Sequence, residues 1–321
     1  MRIAVLDDYQ SCARDLADWS TVRKHAEVHF IARPFDSETD VIASLSDFDV
    51  LCLMRERTAF PREVLSRLSN LKHVVLTGRR SQTLDIPYLL ERGIGIDYTG
   101  AGPAQHATPE IAIGLMFALA RNIPIGDRLM KSGEWLEHAP LGTVLHGKTL
   151  GVIGLGKVGT RVAEIARAIG MRVIAWSPNL TRERARQADV DFRATKRDLL
   201  AEADVVSLHL VLAPSTTPTL TADDLAHMKP TALLINTARG PLVEETALIK
   251  ALSNNGIAGA GLDVFDREPL PPDHPLRSLR NCILLPHFGY VTREIYEVFY
   301  RETVEALERY LARTAAIETH A

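Results

Sequence analysis

The stretch 149–170, TLGVIGLGKVGTRVAEIARAIG, constrains the fold of this chain more than any other. An apolar run (Leu150, Val152, Ile153) leads into Gly154, Gly156 and Gly159. An amphipathic segment follows, with Val162, Ile165, Ala166 and Ile169 on one face. The order is strand, glycine turn, helix. The first glycine permits the tight turn, the second lets backbone approach a pyrophosphate, and the third lets the helix close on the strand. Phosphates suit that helix N-terminus because its free N–H groups and dipole favour anions. Three glycines at this spacing are weak evidence alone, and an ordinary βαβ turn is the competing reading. Here a second apolar strand, 171–176 (MRVIAW), completes the unit, and that context points to a dinucleotide. The motif lies mid-chain, so a sizeable unit precedes it.

The chain has 321 residues, enough for about two domains. Short apolar runs at 2–6, 28–32, 50–54, 73–76 and 94–96 alternate with helical patterns at 41–45, 61–68 and 86–91. After the glycine turn, strands are expected at 171–176, 205–210, 232–236, 258–262 and 283–285, with a helix at 244–252 and a last helix over 291–313. Such alternation implies open, mostly parallel sheets covered on both faces, an α/β class. A long apolar helix is expected over 108–121. The segments 97–103 and 286–290 read as crossings between domains.

A formal net charge of −3 leaves no basic footprint for nucleic acid or an anionic membrane. The arginine-rich 182–187 reads as a solvated helix face. Cys12, Cys52 and Cys282 are odd in number and lack C-x-x-C spacing, which fits a reducing cytoplasm and argues against a disulfide framework or metal site. No apolar run is long enough to span a bilayer, and the chain start has no basic-then-apolar leader pattern.

Four segments at the ends of second-half strands, 236–240, 261–269, 285–289 and 176–179, draw attention, because ligands of open α/β sheets bind at that edge. Arg239 closes one strand, and a guanidinium there can grip a carboxylate through two parallel hydrogen bonds. His287 sits in a Pro-His-Phe-Gly turn, and imidazole suits proton transfer to or from a hydroxyl near neutral pH. Glu268 can hydrogen-bond that histidine and favour its charged form. Each has a bland reading: a surface arginine, a structural histidine, a turn glutamate. Together, behind a dinucleotide motif, they describe a hydride-transfer site acting on a 2-hydroxy acid.

The chain resembles the D-isomer-specific 2-hydroxyacid dehydrogenases. The likeness is carried by MRERT, TGRRSQTLD, SGEW, GKTLGVIGLGKVG, NTARGPLVEETAL, GLDVFDREPLP and LLPHFG. It implies two Rossmann-like domains, the cofactor domain (101–289) being inserted into a flavodoxin-like substrate domain built from 1–100 and 290–321. It implies that Arg239 binds the substrate carboxylate, that His287 is the acid/base and that Glu268 pairs with it. Gly154, Gly156, Lys157, Val158 and Gly159 would hold the pyrophosphate, with Leu210 and Thr216 flanking adenine and phosphate. Thr237, Ala238, Asp263, Gly289 and Thr108 would lie near the nicotinamide; for Asp263, turn formation or helix capping is the lesser alternative. Met54 and Arg55 would face the substrate, and the loop Thr77-Gly78-Arg79 would offer it backbone N–H groups. The implied partners are a small 2-keto or 2-hydroxy acid and a second copy of the chain in a homodimer.

Two departures stand out. An NAD site usually carries an acid about 20 residues after the glycines to bond the ribose. This chain has Ser177, followed by Pro178 and Asn179, and then Arg182. The cofactor is therefore NAD(H) or NADP(H). The substrate loop carries Arg79 and Arg80 where many relatives have small residues; these arginines read equally as anion ligands or as solvated side chains. The alternative to an enzyme is a non-enzymatic, NAD(H)-sensing corepressor-like binding protein.

Overall fold

The computed structural model describes residues 1–320. The chain divides into two compact units, one formed by Met1–Pro103 with the chain from Thr292 onward, the other by Ala104–Val291. It thus leaves the first unit after Pro103 and re-enters it at Thr292.

The first unit is built on five strands: β1 (Arg2–Val5), β2 (Glu27–Phe30), β3 (Val50–Leu53), β4 (His73–Leu76) and β5 (Gly95–Tyr98). Their order is β2-β1-β3-β4-β5, all parallel. This is the flavodoxin-like order, whose switch point lies between β1 and β3. The runs VLCL and HVVL are buried along their whole length because helices cover both sheet faces. The helix Arg293–His320 belongs to this unit, and Ile295, Tyr296, Phe299, Tyr300 and Leu307 are its buried stripe. The Tyr300 hydroxyl donates to Asp8 Oδ1 (3.3 Å) and that of Tyr296 to Gln10 Oε1 (3.1 Å), which ties the end of the chain to the loop after β1.

The second unit holds β6 (Thr149–Ile153), β7 (Arg172–Trp176), β8 (Asp191–Phe192), β9 (Val205–Leu208), β10 (Leu233–Asn236), β11 (Gly259–Leu262) and β12 (Cys282–Leu284). Their order is β12-β11-β10-β9-β6-β7-β8, again all parallel. The switch point falls between β6 and β9, beside the glycine turn. One face is packed by Leu199, Leu200, Leu225, Leu248 and Leu252, the other by Met116, Val162, Ala163 and Ala166.

The parallel sheets with two covered faces are those that the alternation implies. The differences lie at element ends. The two-residue β8 has too little apolar pattern to be read. The helix expected from 108 begins at Ala104, so Pro109 sits inside it and removes one i→i−4 bond. Segment 182–187 is a helix exposed except at Ala185. Among the described residues, no helix is long and apolar enough to cross a membrane.

At the end of β1, Asp7 is 1% exposed and accepts the Thr58 hydroxyl on both oxygens (2.9 and 3.0 Å). Burial pushes its carboxyl up to about 6, against the opposing effects of the Thr58 and Tyr9 hydroxyls and the Arg57 charge. A carboxyl raised on folding favours the fold below its unfolded value and loses that contribution as pH rises through about 6. Asp7→Asn should therefore match wild type in stability near pH 4 and exceed it at pH 8 by on the order of 3 kcal/mol in urea denaturation. A pH dependence identical to wild type would contradict this account.

Candidate functional site

The glycine turn has the contacts its spacing anticipates. Gly154 has φ +103°, and a Cβ there would lie 2.7 Å from the His209 carbonyl carbon. At Gly159 a Cβ would lie 2.1 Å from the Gly154 oxygen, which is the close strand–helix approach. Gly156 faces open space and starts the helix Lys157–Ala168 with no side-chain cap. The first-turn N–H groups of such a helix have no intrahelical partner and are suited to an anion. Lys157 is exposed, and Val158 packs partly into the core beneath.

Of the four buried side-chain polar atoms without a hydrogen-bond partner among the described residues, two lie in the second unit: His209 Nδ1 and Thr237 Oγ1. They directly follow β9 and β10, whose last residues Leu208 and Asn236 are register partners. Orphaned buried polar atoms call for a ligand or water, and these two stand at the carboxyl edge beside the switch point. The residues present therefore fit a dinucleotide. The sequence reading did not single out His209; its signal was a polar residue directly after a fully buried strand. Its Nε2 lies 2.8 Å from Ser207 Oγ, and burial lowers its pKa to about 4, so the ring is neutral.

Other expected contacts are placed differently. The Thr216 hydroxyl donates to Val211 O (2.8 Å) and accepts from Ala213 N (2.9 Å), so it closes its own loop. Leu210 packs against the core. Ser177 is half-buried and Pro178 and Asn179 are exposed, in a turn closed by Leu180 N donating to Ser177 O (3.1 Å). The Arg182 guanidinium lies over the Phe192 ring, 5.0 Å from its centroid.

The structure brings Arg239, Glu268 and His287 together within the second unit. The Asn236 side chain donates to Arg239 O (2.9 Å) and accepts from Ala238 N (3.1 Å), fixing the turn that carries Arg239. Gly240 is obligatory there, because a Cβ would lie 2.0 Å from the Phe265 carbonyl carbon. That contact joins the arginine turn to the loop bearing Glu268. Glu268 Oε1 accepts from Phe265 N (2.9 Å), and Oε2 lies 2.6 Å from His287 Nδ1. Burial alone would raise the Glu268 carboxyl. The His287 hydrogen bond and charge, the Phe265 amide and the Arg239 charge outweigh it and hold the group below its ordinary value. Glu268 is thus ionised and can only accept, so Nδ1 carries the proton between them and Nε2 is left for a substrate.

His287 itself has φ +59° in the turn before Phe288–Tyr290. Asp263 holds that turn: Oδ1 accepts from Phe288 N (2.6 Å) and Oδ2 from Gly289 N (2.7 Å). Burial raises the Asp263 carboxyl, against the pull of these two amides. The structure therefore gives Asp263 the turn-forming role that the family resemblance ranked second. Thr108 donates to Gly289 O (3.0 Å) and anchors the same turn.

In the first unit, Met54 departs from expectation. It is 2% exposed, and its Sδ lies 3.7 Å from Thr77 Oγ1, so it supports the loop from the core rather than presenting its side chain to a substrate. The Thr77 amide donates to Leu53 O (3.0 Å) and the Gly78 amide to Thr99 Oγ1 (3.1 Å). Neither N–H group is therefore left for a ligand. The Arg55 guanidinium lies against Gly78, where a Cβ would come within 2.0 Å of Nη1. Arg79 is exposed.

Residues 113–289 match the family model described as the D-isomer specific 2-hydroxyacid dehydrogenase, NAD binding domain. The chain belongs to this family. The match contains the glycine turn, Arg239, Glu268 and His287, while Thr108 and the first-unit residues lie outside it. The chain is 30% identical to a hydroxypyruvate reductase of Blautia hydrogenotrophica over 97% of both chains. It is 38% identical to a D-3-phosphoglycerate dehydrogenase of Synechocystis over 80% of this chain and 46% of that one. This chain spans about half the length of the phosphoglycerate dehydrogenases it matches. A crystal structure of a phosphoglycerate oxidoreductase from Vibrio cholerae superposes with a TM-score of 0.91 at 34% identity, covering 98% of this chain and 99% of that one.

Replacing Asp263 with alanine leaves the Phe288 and Gly289 amides without their acceptor. Asp263→Ala is expected to lower unfolding free energy by about 2–4 kcal/mol, and Asp263→Asn, which keeps one acceptor oxygen, by less. Urea denaturation checks this order; equal stability of the alanine variant and wild type would contradict it.

Proposed function

We propose that the chain is an NAD(P)-dependent oxidoreductase that interconverts small 2-keto acids and D-2-hydroxy acids. The observation that carries this reading is the 2.6 Å His287–Glu268 pair, with the Arg239 charge acting on the same carboxylate, in a unit whose glycine turn fits a dinucleotide. The relatives named above act on hydroxypyruvate and phosphoglycerate, which are a 2-keto acid and a 2-hydroxy acid.

When bound, a dinucleotide would supply or accept the hydride. The chain's own groups do the rest. Gly154, Gly156, Lys157, Val158 and Gly159 would hold the pyrophosphate; Ser177, Pro178, Asn179, Leu210 and Thr216 would serve the adenosine side; Thr237, Ala238, Asp263, Gly289 and Thr108 would serve the nicotinamide side. Arg239 binds the substrate carboxylate and polarises the keto oxygen. His287 gives a proton from Nε2 to that oxygen in reduction and takes it back in oxidation. The ionised Glu268 orients the ring and stabilises its charged form. In the first unit, Arg55 and the loop Thr77-Gly78-Arg79, backed by Met54, are the residues the family resemblance assigns to the substrate, with the Thr77 and Gly78 amides engaged within the unit. The intact set of Arg239, Glu268 and His287 favours turnover over a purely sensing, corepressor-like role.

Variants of the two substrate-facing groups test this. His287→Ala and Arg239→Ala should fold and bind NADH, as read by cofactor fluorescence, while kcat/KM with 2-keto acids falls by about 100-fold or more. Undiminished turnover in both would contradict the assignment. The absence of an acid at Ser177 predicts that NADPH is accepted beside NADH. Ser177→Asp should raise the KM for NADPH much more than that for NADH, because it restores repulsion against the 2′-phosphate; equal effects on both would contradict this reading of the turn.

The homodimer has a candidate surface. Between residues 123 and 144 the second unit exposes Ile123, Met130, Trp135, Leu136, Leu141 and Val144, with Leu141 fully exposed. So many large apolar side chains in one segment mark an interaction surface. Sedimentation at micromolar concentration should show a dimer, and Trp135→Glu with Leu141→Glu should shift it toward monomer; a monomeric wild type would remove the proposal.

A further inference from the structure

A cavity of about 570 Å³ lies wholly within the second unit, against β7 and the short edge strand β8. That volume is in the range of small-ligand sites. It meets β7 at Met171, Arg172 and Val173, the end away from the glycine turn. Neither the glycine-turn residues nor Ser177, Pro178 and Asn179 line it. The proposed dinucleotide chemistry therefore leaves it unused.

Five arginines line this cavity: Arg167, Arg172, Arg182, Arg186 and Arg193. Three of them are fixed by protein groups. Arg167 donates to Ala188 O (2.9 Å) and pairs with the Asp189 carboxylate (2.8 Å). Arg193 meets both oxygens of Glu202 (2.6 and 2.9 Å), and Arg172 pairs with the same carboxylate while lying 3.8 Å from Asp191. Three carboxylates thus serve five guanidinium groups, so the lining keeps two positive charges in excess. The excess resides on Arg182 and Arg186, which have no carboxylate partner among the described residues. They are four apart on the helix Arg182–Gln187 and share one face, where like charges repel.

The rest of the lining is apolar. Met171, Val173 and Val190 are buried, and the Arg182 guanidinium lies 5.0 Å from the centroid of the Phe192 ring. An apolar base with cations around it is the pattern of a site for an organic anion. The whole chain carries a formal net charge of −3, so this positive charge is local and suits a small molecule rather than a nucleic acid. We propose that the cavity binds a small phosphate-bearing molecule, at a site additional to that of the dinucleotide. A guanidinium takes two phosphate oxygens at once, and an anion between Arg182 and Arg186 relieves their repulsion. The proposal does not depend on the dehydrogenase reading.

Isothermal titration of the full chain tests it, with inorganic pyrophosphate and ADP as probes and saturating NADH present to occupy the glycine turn. At low salt one equivalent of at least one probe should bind with a Kd of about 100 μM or tighter, and the affinity should fall as sodium chloride is raised. Tighter binding of ADP than of pyrophosphate assigns the apolar base to a nucleoside. Arg182→Gln with Arg186→Gln should weaken binding by about tenfold or more, and the corresponding double lysine variant should retain part of it. Both side chains are exposed, and far-UV circular dichroism checks that the variants fold as wild type does. Binding of neither probe, loss of binding when NADH is added, or equal affinity in wild type and the double glutamine variant overturns the proposal and leaves these arginines as a solvated face.

Discussion

Asp263 receives the Phe288 and Gly289 amides on its two oxygens at 2.6 and 2.7 Å, and this buried pairing holds the turn from which His287 projects. The turn needs such a clamp because His287 sits at φ +59°, outside the regions a histidine prefers. With the turn fixed, Nδ1 meets Glu268 at 2.6 Å and Nε2 is left available. With Glu268 fixed by the Phe265 amide, the hydrogen-bonded pair has one geometry rather than several. The acid/base function proposed here depends on that chain of contacts more than on the identity of the histidine.

The same loop is joined to Arg239 by an absence of side chain. Gly240 lies so close to the Phe265–Asp266 peptide that any Cβ would overlap it. The strand ends of β10 and β11 are thereby locked together, and Arg239 and Glu268 are positioned by one rigid edge. Sites on such edges keep their geometry because backbone, not flexible side chains, sets the spacing. The orphaned His209 Nδ1 and Thr237 Oγ1 stand on the neighbouring strand ends and complete a polar rim beside the glycine turn.

Much of the fold was legible because its signals are periodic and local. The buried strands VLCL and HVVL are continuous apolar runs, and the glycine turn is a backbone requirement written as residue type. Element ends were less legible: β8 has two residues, and the helix over Ala104–Ala120 begins ahead of a proline that looked like its start. At the site, Arg239, Glu268 and His287 could be named from residue type and place. What each amide and hydroxyl bonds to could not, because those partners are set by packing. Hence Met54 is a core residue, Thr216 closes its own loop, the Thr77 and Gly78 amides are engaged, and Asp263 clamps a turn. His209 went unread because its role comes from an unfilled bond, which sequence does not display.

On the proposed reading Glu268, held ionised against its own burial, fixes the tautomer and orientation of His287. The most direct measurement is kcat/KM for 2-keto acid reduction in wild type, Glu268→Gln and Glu268→Ala. Glu268→Ala, which removes the acceptor of Nδ1–H, should lose about tenfold or more, and Glu268→Gln, which keeps an acceptor oxygen, should lose less. Turnover of Glu268→Ala equal to wild type would contradict the account.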